Sequence, residues 1–337
     1  MKTFSQRKPV FNPLSSLPGN GWAGMFAGVS NGSLFCMGGA NFPDKKPWEG
    51  GAKKWYDDIY MLENGREWVK LKEKLPRPLA YGLSVSYHDE IIIIGGSDDA
   101  LHYASVTGFY WNGGALRTRE YPDLPVGLAN MTGAVLGDLI IVAGGNQSPS
   151  AKGEHTCYGL DLKNSGQGWI TLPAWPGRER ILAVCGVWND RFYLFGGETT
   201  LVRADPKSDR YILEDAYCFI PRKTNDLWTG TWEKLPDMPK GISAGASPLP
   251  VLEDIGFVFW GGVDAVAALY KQPSSHPGFS NDVLSYHPEK RSWTFTQKLT
   301  DARPRVTLPV VNWNGKWIYI SGETAPGVRT PSVYAMQ

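Results

Sequence analysis

Apolar runs recur along this chain, and each run ends on a pair of small residues. Five of them end on Gly-Gly, and the sixth, KWIYISGE, ends on Ser-Gly and continues into a glutamate. Successive run ends lie roughly 50 to 65 residues apart, a period typical of kelch-type repeats in an all-β chain. The last residues of the six small pairs are Gly39, Gly96, Gly145, Gly197, Gly262 and Gly322.

Every unit follows the same internal order. A strand of small residues precedes a tight turn, the apolar run follows the turn, and a longer polar loop leads to a third strand. The residue pairs between the first two strands favour two-residue hairpins. These pairs are Asn31-Gly32, Asp89-Glu90, Gly137-Asp138, Asn189-Asp190, Glu253-Asp254 and Asn314-Gly315.

Tryptophans mark the start of the outer strands, at Trp68, Trp169, Trp232 and Trp293. A tryptophan in this position is expected to cover the flank between neighbouring units. Six units of four strands predict an all-β fold, a six-bladed kelch-type β-propeller.

The two chain ends together supply the strand that the sixth unit lacks. That unit stops after its third strand, at Ser332–Gln337, whereas Thr3–Phe11 and the following Leu14–Pro18 resemble an outer strand without a partner. We therefore predict one domain over residues 1–337, with the N-terminal strand completing the C-terminal blade. Such closure pairs both ends in one sheet and leaves no open edge.

Composition and charge argue against several classes of function. The net charge is +1 and is dispersed, which argues against a nucleic-acid partner. No apolar run is long enough to span a bilayer, so membrane insertion is not expected. The N-terminus lacks an apolar signal core, which predicts a cytoplasmic protein as written, or a periplasmic one if a signal was removed. The four cysteines and five histidines show no ligand spacing, and neither a metal nor a cofactor is expected.

The segment after each small pair leaves its strand near the propeller axis. Glu323 and Arg329 lie in one such segment, and Pro326-Gly327 between them predicts a tight turn that returns the arginine towards the glutamate. The fourth unit offers a competing pair, Glu198 and Arg203. Residue chemistry alone leaves both pairs open, and either could instead be a surface ion pair worth about 0–1 kcal/mol.

Three further arginines stand just before innermost strands, namely Arg77, Arg180 and Arg305. Guanidinium groups that converged at the channel mouth would form a carboxylate-binding site, because the planar fork matches a carboxylate bidentately. The alternative is that they are solvated loop residues.

Three stretches resemble one known family. GWAGMFAGVSNGSLFCMGGANF, LAYGLSVSYHDEIIIIGG and WIYISGETAPGVRTPSVY are similar to blades of the bacterial N-acetylneuraminate epimerases, sialic acid mutarotases built on a kelch propeller. The similarity spans most of the chain, but the segments follow a different order. The chain thus resembles the cyclically permuted branch of that family, and a propeller tolerates permutation because its ends meet.

The resemblance implies a reaction and assigns roles. It implies interconversion of the α and β anomers of N-acetylneuraminate by acid–base ring opening, without a cofactor. The family's G-E-x-x-P-G-x-R motif implies that Glu323 is the base and that Arg329 is its partner, for substrate-carboxylate binding or charge stabilisation. Glu198 lies in a unit whose family counterpart lacks this motif.

The resemblance bears differently on the arginines that the sequence offers for substrate binding. Arg180 matches a family arginine ahead of an innermost strand, whereas Leu79 occupies the place where Arg77 would be expected. The main alternative is a non-catalytic propeller that binds a carbohydrate or protein. An enzyme for another sugar acid is a second alternative. A copper oxidase is a third, although it would need clustered histidines and tyrosines, which the sequence lacks.

Overall fold

The computed structural model describes residues 8–63, 65–201 and 209–337. These residues form six four-stranded antiparallel sheets arranged as the blades of a propeller, as the repeat predicts. In each of blades 1 to 5 the chain runs from the innermost strand outwards, so the innermost strands of the six blades surround a central channel.

The four strands of each blade follow in order from innermost to outermost. Blades 1 to 3 consist of Phe26–Ser30, Ser33–Met37, Asp58–Glu63 and Glu67–Lys74; of Leu83–Tyr87, Glu90–Ile94, Val106–Trp111 and Leu116–Tyr121; and of Thr132–Leu136, Leu139–Ala143, Cys157–Asp161 and Ile170–Leu172. Blades 4 to 6 consist of Val184–Trp188, Arg191–Phe195, Ala216–Thr224 and Leu227–Lys234; of Val251–Leu252, Gly256–Trp260, Asp282–His287 and Ser292–Lys298; and of Val310–Trp313, Lys316–Ile320, Val333–Met336 and Phe11–Leu14.

Short ribbons and helices fill the loops between strands. In the described part of the chain, three ribbons pair Ala40–Asn41 with Lys54–Trp55, Glu198–Leu201 with Asp209–Ile212, and Glu323–Ala325 with Val328–Arg329. One α-helix spans Ala265–Leu269, and 3₁₀ helices span Pro47–Glu49, Leu162–Gln167 and Pro273–Ser275. Within the described ranges, no helix has the length and apolarity needed to cross a membrane.

Four of the six predicted hairpins form as two-residue turns at the predicted pairs, in blades 1, 3, 4 and 6. The other two differ. In blade 2 the turn is His88-Asp89, because Tyr87 pairs with Glu90. In blade 5 Leu252 pairs with Gly256, which leaves a three-residue loop, Glu253–Ile255.

The N-terminal strand closes the ring as predicted. Phe11–Leu14 pairs with Val333–Met336, and Val10 and Gln337 exchange backbone hydrogen bonds of 3.1 and 3.2 Å. The ring of Phe11 packs 4.6 Å from that of Trp260 in blade 5, so the strand also covers the neighbouring blade. Of the predicted segment that begins at Thr3, residues 3–7 lie outside the described part of the chain.

The hydrophobic core lies between blades, and the four outer-strand tryptophans help to seal it. Each indole N–H donates a hydrogen bond of 2.7 to 3.0 Å to a backbone carbonyl at the end of the preceding blade. The pairs are Trp68 with Ser15, Trp169 with Pro122, Trp232 with Pro173 and Trp293 with Pro236. The predicted flank position of these residues is confirmed.

Candidate functional site

A closed ring of backbone hydrogen bonds surrounds the channel just before the innermost strands. Each blade contributes one residue, whose N–H donates to the carbonyl of its counterpart in the preceding blade over 2.7 to 2.9 Å. All six have a left-handed backbone, with φ between +51° and +64°. They also line a cavity on the axis. They are Gly24, Tyr81, Asn130, Leu182, Ala244 and Thr307.

This backbone conformation is unfavourable for most of these side chains. A left-handed residue other than glycine costs roughly 1–2 kcal/mol, and Tyr81, Leu182 and Thr307 all adopt it. Such residues persist where the surrounding structure fixes them, and they cluster at functional sites. Here the six hydrogen bonds hold the ring, so the cavity wall is preorganised.

The residues that follow the small pairs form a second layer outside the ring. Each makes an antiparallel backbone bridge with the residue that precedes a ring member. Glu198 bridges Ile181, and Glu323 bridges Val306. The two glutamates therefore occupy equivalent positions in blades 4 and 6. The complete set is Ala40, Ser97, Asn146, Glu198, Val263 and Glu323.

Glu323 and Arg329 face each other across a short ribbon. Glu323 pairs with Arg329 and Ala325 with Val328, so Pro326 and Gly327 form the turn. The Glu323 carboxylate contacts Arg329 Nη1 directly, and the two side chains are only 16% and 5% exposed. The guanidinium also lies 5.0 Å from the centre of the Phe42 ring.

Burial dominates the electrostatics of Glu323. Loss of solvent raises the pKa of the carboxyl above its ordinary value of 4.5, although the charges of Arg329, Lys53 and Arg210 and a backbone N–H of Gly327 act in the opposite direction. Desolvation penalises the charged form, whereas a nearby cation favours it. The net pKa shift is upwards, so burial outweighs the ion pair with Arg329, which is the direction that a general base near neutral pH requires.

Glu198 is held differently. Arg210 binds it bidentately, with Nε at 2.9 Å and Nη2 at 2.5 Å, and the Ser243 hydroxyl donates a third hydrogen bond over 2.7 Å. The predicted partner Arg203 lies outside the described residues, and Arg210 on the paired strand takes the position beside Glu198. Both oxygens of this carboxylate are therefore occupied by protein donors.

Arg180 and Arg305 occupy equivalent places in blades 4 and 6, and both are buried between strands. Arg180 forms two hydrogen bonds of 2.9 Å with Asp215 and one of 2.8 Å with the Gly196 carbonyl. Arg305 Nη1 donates to the carbonyls of Ser321 and Ser332. Burial lowers the pKa of Arg305 to about 10. The guanidinium contacts of both residues are thus with the protein itself.

Arg77 lies elsewhere, exposed on a loop, with its guanidinium 4.3 Å from the centre of the Tyr103 ring. The structure therefore does not bring Arg77, Arg180 and Arg305 together at the channel. Their substrate-binding role stays a prediction, and no contact of their guanidinium groups supports it. Arg180 and Arg305 could not be placed from sequence, because a loop arginine and a buried interblade arginine have the same local sequence pattern.

The sequence patterns missed Tyr81, which lines the cavity. They also missed four residues that contact Tyr81 or the two glutamate–arginine pairs, namely Phe42, Lys53, Arg210 and Ser243. Lys53 Nζ lies 4.1 Å from the centre of the Tyr81 ring and 4.7 Å from that of Trp55. Tyr81 recurs at the kelch period with the other ring residues, so aligning the repeats would have found it. Lys53 and Arg210 lie in the loops after the small pairs, where length and composition vary between blades.

Comparisons with known proteins agree with this architecture. A family model described as N-acetylneuraminate epimerase matches residues 3–118 and 121–271. The chain is 28% identical over 237 residues to an N-acetylneuraminate epimerase of Haemophilus influenzae (strain 86-028NP), which covers 64% of this chain and 59% of the relative. It is 43% identical over 106 residues to one of Salmonella enteritidis PT4, covering 28% and 27%. The chain thus spans less than two thirds of the length of these relatives.

A solved structure titled "Structure of YjhT" has a similar fold. The TM-score is 0.67 with 17% sequence identity, and the superposition covers 96% of this chain and 99% of that chain. At this level of identity the similarity supports the fold alone.

Proposed function

Because the chain belongs to the N-acetylneuraminate epimerase family, we propose that it interconverts the α and β anomers of N-acetylneuraminate. The observation that carries the proposal is the buried Glu323–Arg329 pair, in which Glu323 bridges Val306, the neighbour of the cavity-lining residue Thr307. Glu323 combines a mostly buried carboxylate, a raised pKa and a direct cationic partner. A general base near neutral pH needs a raised pKa and a fixed position, and burial and the Arg329 contact act in these two directions.

The reaction consists of proton transfers and needs few catalytic groups. Glu323 takes the proton of the anomeric hydroxyl, the electrons of that O–H bond form the C2 carbonyl, and the bond from C2 to the ring oxygen breaks. The ring oxygen takes up a proton from solvent, which gives the open-chain ketone. Rotation about the bond to C2 presents the other carbonyl face, and the reverse steps close the ring as the other anomer. Arg329 contacts the Glu323 carboxylate and holds it in position for the proton transfer.

Glu323 is a better candidate for the base than Glu198. Glu198 accepts three hydrogen bonds from Arg210 and Ser243. Both oxygens of this carboxylate are already bound by protein donors, so a substrate hydroxyl would have to displace one of them. Across the described residues the Glu323 carboxylate has one side-chain partner, Arg329, so fewer side-chain donors compete with a substrate hydroxyl.

The test compares Glu323→Gln with Glu198→Gln. We expect Glu323→Gln to fold and to lose about 100-fold or more of the catalysed anomer exchange, the usual contribution of a general base. Glu198→Gln should lose less. NMR of freshly released α anomer measures the exchange, and the uncatalysed rate under the same conditions is subtracted.

Three outcomes would count against the assignment. Undiminished exchange in Glu323→Gln would show that another group is the base. A larger loss in Glu198→Gln would transfer the role to the blade 4 glutamate. Binding of the sugar acid by the unaltered protein without faster exchange would instead favour the non-catalytic binding module.

A further inference from the structure

The ribbon of blade 1 reaches both the ion pair and the cavity. Ala40 pairs with Trp55 and Asn41 with Lys54, so Phe42 and Lys53 follow at the same end of the ribbon. Phe42 lies beneath the Arg329 guanidinium, and Lys53 Nζ lies over the ring of Tyr81, which lines the cavity. One element therefore places an aromatic ring and a cation beside the proposed active site.

The cations around the pocket differ in what they contact. Arg329 contacts Glu323, and Arg210 binds Glu198 bidentately. Lys53 is half-buried against the faces of Trp55 and Tyr81, and across residues 8–63, 65–201 and 209–337 it forms no ion pair. An ammonium group has three N–H donors, and contact with ring faces does not satisfy them as a carboxylate would.

We propose that Lys53 binds the carboxylate of the anionic sugar substrate and that Arg329 mainly holds Glu323. The assignment rests on the proposed function. The two aromatic faces restrict the long lysine side chain before the ligand arrives, which reduces the ordering cost of binding. The ribbon of blade 1 places Lys53 at the same end as Phe42, whose ring lies under the guanidinium that contacts Glu323.

The direct test measures binding in a protein that cannot turn the ligand over. The parent carries Glu323→Gln, and Lys53→Met is added to it. The matched control is Lys54→Met, since Lys54 is the next residue, is exposed, and has its Nζ 5.3 Å from the centre of the Tyr56 ring. Calorimetry is performed with N-acetylneuraminate and with its uncharged methyl ester.

We expect Lys53→Met to weaken binding of the acid about tenfold or more, as for the loss of a charge-assisted hydrogen bond. Binding of the ester should be unchanged, and Lys54→Met should bind both ligands like the parent. Equal affinity of Lys53→Met and the parent for the acid would overturn the Lys53 assignment. Equal weakening of acid and ester would also overturn it, because the lysine would then act through pocket shape.

The proposed function can fail separately. If the parent bound neither compound and the unaltered protein did not accelerate exchange, the proposed function would be wrong, and the Lys53 assignment with it. If exchange were accelerated while Lys53→Met bound the acid normally, only the Lys53 assignment would be wrong.

A second readout separates charge recognition from a structural role. In the active protein, Lys53→Met should raise KM for the acid more than it lowers kcat. It should also move the acidic limb of the kcat/KM profile to higher pH, because Arg329 and Arg210 would then be the remaining cations that lower the pKa of Glu323. If Lys53→Met left the acidic limb of the kcat/KM profile where it was, Lys53 would not lie near Glu323, and the assignment would be contradicted.

Discussion

At the scale of single residues, the site depends on a balance at Glu323. Its carboxyl is buried enough to raise its pKa, yet it contacts an arginine that would lower the pKa in water. A buried glutamate without a cation would be protonated at neutral pH, and an exposed one beside Arg329 would be a weak base. In Glu323 burial outweighs the cations, so the pKa is raised while the arginine still favours the ionised form.

This balance predicts the pH dependence of the reaction. The base must be ionised, so kcat/KM should fall as the pH falls through the pKa of Glu323, which lies above 4.5. The contribution of Glu323 to folding stability changes with pH in the opposite direction. Because folding raises this pKa, the folded state binds the proton more tightly, and the contribution of Glu323 to stability decreases as the pH rises from 4.5 through the folded value.

Anomer exchange measured between about pH 4 and 8, with the spontaneous rate subtracted, checks the first part. An acidic limb centred below about 4.5 would mean that the ion pair outweighs burial or that another group titrates.

The sequence predicted these residues to different degrees. Glu323 and Arg329 were identified because a family motif carries both and because their spacing predicted the turn between them. Arg180 and Arg305 were expected at the channel, whereas their guanidinium groups are buried against Asp215 and backbone carbonyls. The position of an arginine in the sequence does not determine the direction in which its long side chain points.

At the scale of elements, the ribbon from Glu323 to Arg329 is seated against blade 1. A Cβ added at Gly327, where φ is +74°, would lie 2.6 Å from Pro47 Cδ. The turn residue thus has to be small as well as left-handed. The adjacent loop of blade 1, which carries Pro47, also leads to Lys53, so any shift of the turn would disturb both cations beside Glu323.

We therefore expect Gly327→Ala to reduce the catalysed exchange at least tenfold, because a displacement of about 1 Å in a catalytic group has large effects on rate. Gly315→Ala is the matched control. Gly315 has φ +73° in the turn of the same blade, but an added Cβ would have no neighbour within 4 Å.

Both alanines carry the backbone penalty of about 1 kcal/mol, so thermal unfolding should shift in both variants. At temperatures where both variants are folded, Gly327→Ala should lose activity and Gly315→Ala should keep it. Equal activity in the two variants would contradict the idea that blade 1 fixes the ribbon.

The small pairs themselves have a structural cause that their sequence did not reveal. In five blades a Cβ on the first glycine would come within 2.3 to 2.5 Å of a backbone carbonyl of the next blade. In blade 6 this position is Ser321, whose hydroxyl donates to the Trp22 carbonyl over 2.9 Å and accepts from the Trp22 N–H over 2.8 Å. In blade 6, hydrogen bonds of Ser321 to the backbone of Trp22 thus take the place of the close glycine–carbonyl contact. This serine lies two residues before Glu323.

At the scale of the whole molecule, the repeat period was enough to predict blade number, strand order and ring closure, because each blade has the same local pattern. It could not predict the hydrogen-bonded ring around the axis. That ring requires Tyr81, Leu182, Ala244 and Thr307 to adopt a conformation that local preference disfavours, and only the joint geometry of six blades imposes it. The permuted order of blades relative to the family stays a prediction.

Ring closure leads to a prediction about chain order. Since Val10 and Gln337 are hydrogen-bonded neighbours, joining the two ends through the residues before Val10 requires no change in the blades. New ends can be placed between Gly113 and Gly114, in an exposed outer hairpin where an added Cβ would meet nothing within 4 Å. We expect this permuted protein to fold and to keep its anomer exchange, because the outer hairpin contacts neither the ring nor Glu323.

A truncated protein that lacks residues 1–14 provides the contrast. It removes the strand Phe11–Leu14, exposes the edge of Val333–Met336 and uncovers Trp260 and Tyr319, which Phe11 contacts. Loss of the packing of the partly buried Phe11 should lower the free energy of unfolding by about 1–3 kcal/mol, and the open edge favours association. Denaturant unfolding and light scattering distinguish the two proteins. If the truncated chain were as stable and monodisperse as the permuted one, strand pairing at the chain ends would not be what closes the propeller.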